Sequence, residues 1–343
     1  MAGKFQGVEL ASRAIAIRTS DRGYFKKCRQ LWDLTSRIRQ DWEPIQRYPA
    51  FDFGTAIHAG LEAYYKPETW GDLPTMRSNA CAAFRESFAA LQKIVKVGDL
   101  EFELRFQDDI QLGIDMLEYY FTWAPKQDHF KPVFTEIEFE VPIPGLGVPY
   151  QGRIDLVVED EYGYWIADHK SCKQFGDSSW LALDDQCSSY AWSLRQQLGL
   201  EIRGVIYNQL RKKPPAPPKL LKNGTFSVNR QQDTSFEVYL RTLRQHGIDP
   251  HYYRDILLYL KRNPKEYVRR TKISYNNDIL DKVSERIQKE ARDMIDPDIQ
   301  IYPSPSPINC NGCRFFAPCL QIQEGREPVM DMYEQRTALT GYK

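Results

Sequence analysis

Hydrophobic positions in the first third of the chain recur at helical spacing. Residues 19–40, 54–65, 76–97 and 107–123 each place apolar side chains every three or four positions. The first of these ranges follows a Ser/Thr/Asp cap, and the second is entered through a Gly-Thr pair. We therefore predict that the N-terminal part of the chain is helical.

Near residue 133 the spacing of apolar residues changes from the helical period to an alternation of every second residue. Residues 133–141 alternate apolar side chains with glutamates, residues 150–158 form a second apolar run, and residues 164–167 begin a third. The connections are short and polar, which predicts an antiparallel meander. A helix at 178–198 and a strand at 202–209 follow, and that helix is the crossover that a parallel pairing of the last strand requires.

The remaining pattern predicts fewer strands. Four prolines within 211–219 indicate an extended connector, and residues 234–295 are mainly helical with a strand or hairpin near 225–230 and 267–275. We expect an α/β protein that forms one compact unit, with a central mixed sheet flanked by helices. Its predicted parts are an N-terminal helical part (1–132), the sheet core (133–210), a mainly helical insertion (211–300) and, after a proline-rich stretch, a C-terminal cysteine segment (301–343).

Composition narrows the classes of function. The 343 residues are 42% hydrophobic and 27% charged, which is typical of a globular protein. No apolar run approaches the ~20 residues that span a bilayer, and no secretory leader is visible, so we expect a cytoplasmic protein without a membrane partner. The 46 basic residues balance 46 acidic ones, which argues against a protein that coats nucleic acid by charge alone.

Two aspartates and a lysine form a candidate active site. Asp155 lies on the second predicted strand and Asp168 ends the third, 13 positions later, so adjacent antiparallel strands would bring the two carboxylates together. Their repulsion is costly unless a divalent cation such as Mg²⁺ or Mn²⁺ binds between them. Lys170 leaves the same face as Asp168 and could stabilise charge on a phosphate. The alternative is that the aspartates flank turns and that the lysine is a surface residue.

These residues resemble the PD-(D/E)xK nuclease superfamily, and more narrowly its RecB-like exonuclease branch. Four elements carry the resemblance: Gly54 to His58, Gly152-Arg153-Ile154-Asp155, Asp168-His169-Lys170, and Gln186 to Tyr190. The resemblance implies a restriction-endonuclease-like core. It also implies metal ligands at His58, Asp155, Asp168 and the carbonyl of His169, a catalytic Lys170, and supporting roles for Gln186 and Tyr190. His169 replaces the aromatic residue that is common at its position.

Four of the seven cysteines form a second pattern. Cys310, Cys313 and Cys319 are close enough in sequence to serve one metal centre, and Cys28 stands 282 positions before the first of them. Structural zinc ribbons usually contribute two close pairs, and a second pair is missing from this sequence. One distant cysteine with a C-terminal triplet is similar to the iron–sulfur members of the RecB-like branch, such as the AddB nuclease domain and the CRISPR-associated RecB-like exonucleases. This resemblance implies a 4Fe–4S cluster. Zinc and unligated cysteines are the alternatives.

The implied function is a divalent-metal-dependent exonuclease that degrades single-stranded DNA or duplex ends in recombination, repair or phage DNA metabolism. A structure-specific endonuclease and a cluster-stabilised DNA-binding adaptor without activity are the alternatives, and an intact D-x-K set argues against the adaptor. The sequence has no G-x-x-x-x-G-K-S/T motif, so unwinding would need a helicase or recombination partner.

Basic and aromatic residues of the 211–300 segment could guide DNA, although such basic runs are more often solvated faces and such tyrosines are as often core. The candidates are Arg211, Lys212, Lys213, Lys219, Lys222, Lys261, Arg262, Lys265, Arg269, Arg270, Lys272, Tyr252, Tyr253 and Tyr259.

Overall fold

A mixed β-sheet with helices on both faces forms the centre of the computed structural model, which describes residues 16–45, 49–92 and 100–336. Its side chains are described over 16–45, 53–90 and 106–336. The eight described strands are β1 (Ile17–Arg18), β2 (Trp42–Pro44), β3 (Lys131–Pro142), β4 (Pro149–Asp160), β5 (Gly163–Cys172), β6 (Ile202–Arg211), β7 (Val268–Ser274) and β8 (Tyr333–Gln335).

Helices account for most of the remaining described chain. They are α1 (Thr19–Lys27), α2 (Arg29–Thr35), α3 (Pro49–Tyr64), α4 (Leu73–Gln92), α5 (Leu100–Trp123), α6 (Asp185–Leu198), α7 (Phe236–Gln245), α8 (Arg254–Arg262), α9 (Asn277–Ile295), α10 (Pro307–Cys310) and α11 (Phe316–Gln323). None of these helices is both long and apolar enough to cross a bilayer.

The predicted sheet topology is confirmed. Strands β3, β4 and β5 pair as an antiparallel meander, and β6 pairs in parallel with β5 after the crossover through α6. Strand β7 adds an antiparallel edge beside β6, and β1 pairs in parallel with β4. The sheet is therefore mixed, as expected for an α/β protein with a restriction-endonuclease-like core.

The pairing along β4 leaves a gap at one edge. Strand β3 occupies one edge of β4 along nearly its whole length, while β5 pairs with the other edge only from Leu156 onward and β1 only at Tyr150 and Gln151. Among the described residues, positions 152–155 thus have no strand partner on that second edge. This gap opens the sheet at the Asp155 position.

Two hydrophobic cores lie on the two faces of the sheet. One packs α3, α4 and α5 against Leu156, Val158 and Trp165, and the other packs α6 and α9 against Ile154, Val157 and Ile166. Burial of apolar surface on both faces, at roughly 25 cal/mol per Å², is the main term that holds these helices in place. A smaller cluster joins α7 and α8 near Phe226, away from the sheet.

Several predicted element boundaries are wrong. The helix predicted over 19–40 is two helices, because Cys28 has an extended backbone with φ −166° and ends α1. Helix α3 begins at Pro49 rather than at the Gly-Thr pair, and residues 93–97 of the next prediction lie outside the described residues. The helix predicted over 178–198 begins only at Asp185, after a short 3₁₀ helix, Ser179–Leu183.

The hairpin predicted after the proline connector is also corrected. Around 225–230 the structure has only an isolated bridge between Leu220 and Phe226, whereas the strand predicted around 267–275 is confirmed as β7. The proline-rich stretch before the last cysteines is non-helical until Pro307, as predicted.

We predict that Gly204→Ala destabilises the sheet. A Cβ at Gly204 would lie 1.9 Å from the carbonyl oxygen of Ile273 on β7, and a backbone atom held in the β6–β7 ladder cannot yield easily. The free energy of unfolding, measured by urea denaturation, should fall by about 2 kcal/mol or more.

Gly147→Ala is the matched control, because nothing lies within 4 Å of the Cβ it would add. Equal unfolding midpoints for the two variants would contradict the close approach of β6 and β7.

Candidate active site

The gap in the sheet brings Asp155 and the end of β5 together. The β4–β5 ladder ends at Leu156 and Ala167, and beyond it the backbone N–H of His169 donates to Asp155 Oδ2 at 2.9 Å. The Asp155 side chain thus keeps β4 in contact with β5 at the point where the two strands separate. This arrangement fixes Asp155 beside the strand that carries Asp168 and Lys170.

His58 reaches the same carboxylate from helix α3. Its Nδ1 lies 3.3 Å from Asp155 Oδ2, and both side chains are partly exposed. Burial alone would raise the pKa of Asp155, but His58 and the cations around it hold that pKa below the usual range. Burial lowers the pKa of His58, and Asp155 more than offsets this, so the pKa of His58 lies above its usual value.

Asp168 and Lys170 form the second half of the site. Lys170 Nζ lies 3.0 Å and 3.1 Å from the two oxygens of Asp168, whose side chain is only 2% exposed. Burial raises the pKa of Asp168 to about 6 despite the opposing effect of Lys170. Burial would lower the pKa of Lys170, but Asp168 and then Asp155 raise it above its usual value. The two carboxylates therefore differ strongly in proton affinity.

Glu136 is a functional candidate that the sequence analysis missed. Its carboxylate lies with His58 and Asp155 in a group whose ligand atoms are all within 4.8 Å of one another. Burial and then Asp155 raise the pKa of Glu136 to about 7, although Arg153 contacts it at 3.1 Å. Such a shift indicates a carboxylate that would gain from a bound cation.

The backbone at Glu136 is also strained. Its φ is 47°, a left-handed conformation that costs a non-glycine residue about 1–3 kcal/mol. In the sequence Glu136 is one of three alternating glutamates on β3, so composition alone gave no reason to choose it. Its position between the paired residues Thr135 and Ile137 places it opposite Asp155, which only the strand register reveals.

Gln186 and Tyr190 lie on α6 at the edge of the site. Gln186 Nε2 donates to the Tyr190 hydroxyl at 2.8 Å, and burial raises the pKa of Tyr190 well above its usual value. Asp184 caps this helix by accepting from the backbone N–H groups of Gln186 and Cys187. This cap therefore holds the start of α6, the helix that presents Gln186 and Tyr190 to the site.

The His169 side chain points away from the carboxylates into an aromatic pocket. Its ring stacks on Tyr65 at 5.8 Å, and its Nδ1 lies 2.9 Å from the Asn208 amide nitrogen. Burial lowers the pKa of His169 to about 3, so the imidazole is neutral at physiological pH. Because the amide donates to Nδ1, the ring proton resides on Nε2.

A buried polar network holds this pocket from behind. Arg270 on β7 lies 2.6 Å from the buried Asp128, and its guanidinium also donates to the hydroxyls of Tyr65 and Tyr120 and to Asn208. A buried charge needs such partners, since its desolvation costs several kcal/mol. These contacts hold Arg270 inside the protein, so it is neither the DNA-guiding residue nor the solvated surface residue that the sequence left open.

Other basic residues of the predicted DNA-guiding groups also have protein partners. Lys272 pairs with Asp160, Arg269 with Glu266, and Lys213 with Asp233. Within those groups, the residue that lines the active-site cavity is Lys212. Tyr253 and Tyr259 pack against the α7–α8 cluster, and Tyr252 is 82% exposed.

A large cavity contains the candidate site. Its volume is about 1450 Å³, which is larger than the roughly 300–1,000 Å³ of common small-molecule pockets. It is lined by His58, Glu136, Asp155, Lys170, Gln186 and Tyr190 together with side chains of α1, α4 and the 3₁₀ helix before α6.

Family comparison agrees with this geometry. A sequence profile of the PD-(D/E)XK nuclease superfamily matches residues 22–319, which is most of the chain. The chain belongs to the PD-(D/E)XK nuclease superfamily. Membership of this superfamily implies that the protein is a nuclease, and a nuclease of this kind implies DNA as the substrate.

Among solved structures, this chain is similar to a protein from Eubacterium rectale that is described as a candidate exonuclease. The two sequences are 8% identical, the match covers 91% of this chain and 93% of that chain, and the TM-score is 0.45. It is also similar to SSO0001, with 12% identity, 78% and 93% of the two chains covered, and a TM-score of 0.32. None of the curated proteins is significantly similar in sequence.

The donor set of this PD-(D/E)XK nuclease fits the divalent cations that the family uses. Two carboxylates and one imidazole converge at His58, Glu136 and Asp155, whereas Asp168 interacts electrostatically with Asp155 and His58 but is outside this group of three. Carboxylate oxygens suit Mg²⁺ and Mn²⁺, and the imidazole suits transition metals better than Mg²⁺. The residues present therefore could hold either ion at the gap in the sheet.

The four cysteines singled out in the sequence converge at a second cavity. It has a volume of about 240 Å³ and is lined by Cys28, Cys310, Cys313 and Cys319 together with apolar side chains such as Leu31. Burial first, and then the other three thiols, raise the pKa of Cys319. The backbone N–H of Ser304 donates to Cys28 Sγ at 3.4 Å. The break between α1 and α2 is what turns Cys28 toward the C-terminal triplet.

We predict that Glu136→Gln weakens Mn²⁺ binding at least about tenfold, because it removes one charge from the group of three ligands. Isothermal titration calorimetry of Mn²⁺ with the intact protein measures the change. Glu138→Gln is the matched control, because Glu138 is an exposed glutamate two positions further along β3. Unchanged Mn²⁺ affinity in Glu136→Gln would exclude Glu136 from the metal site.

Proposed function

We propose that this PD-(D/E)XK nuclease is a divalent-metal-dependent DNA exonuclease of the RecB-like type. The single observation that carries the proposal is the juxtaposition of Asp155, Asp168 and Lys170 at the gap between β4 and β5, with His58 bound to the first carboxylate. The ordered motif set supports the RecB-like branch, because the histidine and the Gln186–Tyr190 pair line the same cavity.

Each residue has a distinct role in the proposed reaction. Asp155, Asp168, His58 and the carbonyl of His169 would hold Mg²⁺ or Mn²⁺, with Glu136 as a further donor. The bound ion would polarise the phosphate and lower the pKa of the attacking water. Because neighbouring carboxylates raise the pKa of Lys170, its side chain is a cation at neutral pH. We therefore assign Lys170 to orienting the water and stabilising charge on the phosphate, rather than to accepting a proton.

Gln186 and Tyr190 complete the proposed site. Their hydrogen bond holds the glutamine side chain at the cavity wall, where its amide can contact a DNA backbone. The Tyr190 ring also packs edge-on against Phe139 of β3, with 5.8 Å between the ring centroids. This pair therefore positions α6 against the sheet and the substrate against the carboxylates.

We expect Asp168→Asn and Lys170→Ala each to reduce metal-dependent DNA degradation on the order of 10²–10³-fold while the fold is retained. The assay follows end-labelled linear single strands, linear duplexes and closed circles in Mg²⁺ or Mn²⁺. Lys173→Ala is the matched control, since this exposed lysine lies just beyond β5. An exonuclease degrades the linear substrates and spares the circles.

Two outcomes would contradict the proposal. If the activity of Lys170→Ala is within twofold of that of the unsubstituted protein, the proposed site is not the active site. Rapid cleavage of closed circles would favour the alternative, a structure-specific endonuclease.

We also propose that Cys28, Cys310, Cys313 and Cys319 bind a structural 4Fe–4S cluster. Four thiols with apolar neighbours around one cavity form a donor set that suits iron–sulfur ligation. The cavity that the four thiols line has a volume of about 240 Å³, which would hold a group larger than a single zinc ion and therefore favours the cluster over zinc.

Such a cluster would join distant parts of the chain. Cys28 lies between α1 and α2, and the other three cysteines lie after α9, so ligation would close a loop of nearly 300 residues. Metal ligation of this kind contributes directly to folding free energy. The role is structural, because the cysteines are absent from the lining of the active-site cavity.

We predict that anaerobically purified protein is brown and that Cys313→Ser loses both the colour and thermal stability. Iron and sulfide content and the melting temperature measure these effects. Cys81→Ser is the control, because Cys81 on α4 contacts Glu118 rather than the other cysteines. A colourless protein with one equivalent of zinc would overturn the cluster proposal.

A further inference from the structure

Two large apolar side chains project from the wall of the active-site cavity. Trp180 is 56% exposed and Leu183 is 83% exposed, and both line the cavity that contains Asp155 and Lys170. Large apolar side chains grouped at a functional opening commonly mark a binding surface. The family motifs that define the proposed nuclease site do not include either residue.

The segment that presents Trp180 and Leu183 is firmly anchored. Leu181, between them on the 3₁₀ helix, is only 4% exposed, and its carbonyl accepts from the Tyr207 hydroxyl at 3.4 Å and from the Asp184 N–H at 3.1 Å. Asp184 in turn caps α6. The exposed pair is thus held at a fixed distance from Gln186 and Tyr190, instead of being carried by a long free loop.

Cations line the walls around this apolar pair. Lys27 lies on α1, and Lys212 follows β6, where its Nζ lies 4.8 Å from the centre of the Phe53 ring. A ligand that has regularly spaced negative charges and flat apolar groups would match this combination of cations and exposed apolar side chains. Single-stranded DNA has both features exposed, whereas a duplex keeps the faces of its bases stacked inside.

We propose that Trp180 stacks on an unpaired base of the DNA strand, and that Leu183 packs against the adjacent nucleotide, as the strand enters the cavity. This inference rests on the proposed nuclease function and deepens it by assigning the binding of the unpaired strand, either single-stranded DNA or the frayed end of a duplex, to Trp180 and Leu183. Trp180 is a substrate-binding residue in this account, and the carboxylates perform the hydrolysis.

Binding, separated from hydrolysis, tests the proposal. The full chain carrying Lys170→Ala is titrated with fluorescein-labelled oligo(dT) of 20 nucleotides and with a labelled abasic phosphodiester chain of the same length. Loss of one base–aromatic stack, worth about 1–3 kcal/mol, corresponds to roughly 5- to 150-fold in Kd. We expect Trp180→Ala to weaken oligo(dT) binding within this range and to leave abasic binding within twofold.

Two further variants sharpen the comparison. Trp180→Phe should restore most of the affinity for oligo(dT), since phenylalanine keeps a stacking face. Tyr162→Ala should leave both affinities unchanged, because Tyr162 is a 63% exposed aromatic residue outside the cavity. Anisotropy measured on the folded proteins, checked by circular dichroism, provides the Kd values.

The outcomes distinguish this inference from the proposed function. Equal weakening of oligo(dT) and abasic binding by Trp180→Ala, or no weakening of either, would overturn the stacking role, even if the unsubstituted protein degrades DNA. Trp180→Ala activity that falls on blunt duplexes but not on single strands would overturn the preference for unpaired DNA. Failure of the Lys170→Ala hydrolysis test would instead reject the proposed site at Asp155, Asp168 and Lys170.

Discussion

The approach of two carboxylates, the partly exposed Asp155 and the buried Asp168, is the constraint on which the rest of the site depends. Their negative charges repel each other, and the structure places His58 beside the first and Lys170 beside the second. The approach itself follows from the separation of β4 from β5, where the His169 N–H donates to Asp155 in place of a ladder partner. A divalent ion would remove the remaining repulsion, so the same geometry that costs stability prepares the site for metal.

The second constraint is the packing that holds the end of β5 in position. The His169 ring is fixed by Tyr65 and Asn208, and Arg270 ties both to Asp128. Strand β7, which carries Arg270, comes from the segment that no sequence motif covers. The segment from 211 to 300 thus supports the His169 backbone to which we assign a metal contact.

Local sequence patterns predicted the parts of the molecule that are determined by residues close together in the chain. The alternation in 133–167 predicted the meander, and the spacing of Asp155, Asp168 and Lys170 placed them at one edge. Glu136 could not be found in this way, because its role depends on strand register and on a left-handed φ within a strand. The helix break at Cys28 was missed for a related reason, since its apolar neighbours continue the helical spacing. Arg270 looked like a surface cation because only tertiary packing buries it.

Metal binding at the β4–β5 gap is the central claim, and crystallography on Mn²⁺-soaked crystals tests it most directly. Anomalous diffraction should show a strong peak within coordination distance, about 2.1 Å for a small divalent ion, of carboxylate oxygens from both Asp155 and Asp168. A nitrogen of His58 should lie beside the same peak. The absence of a peak between the two carboxylates at saturating Mn²⁺, or one peak confined to the cysteine cavity, would contradict the account.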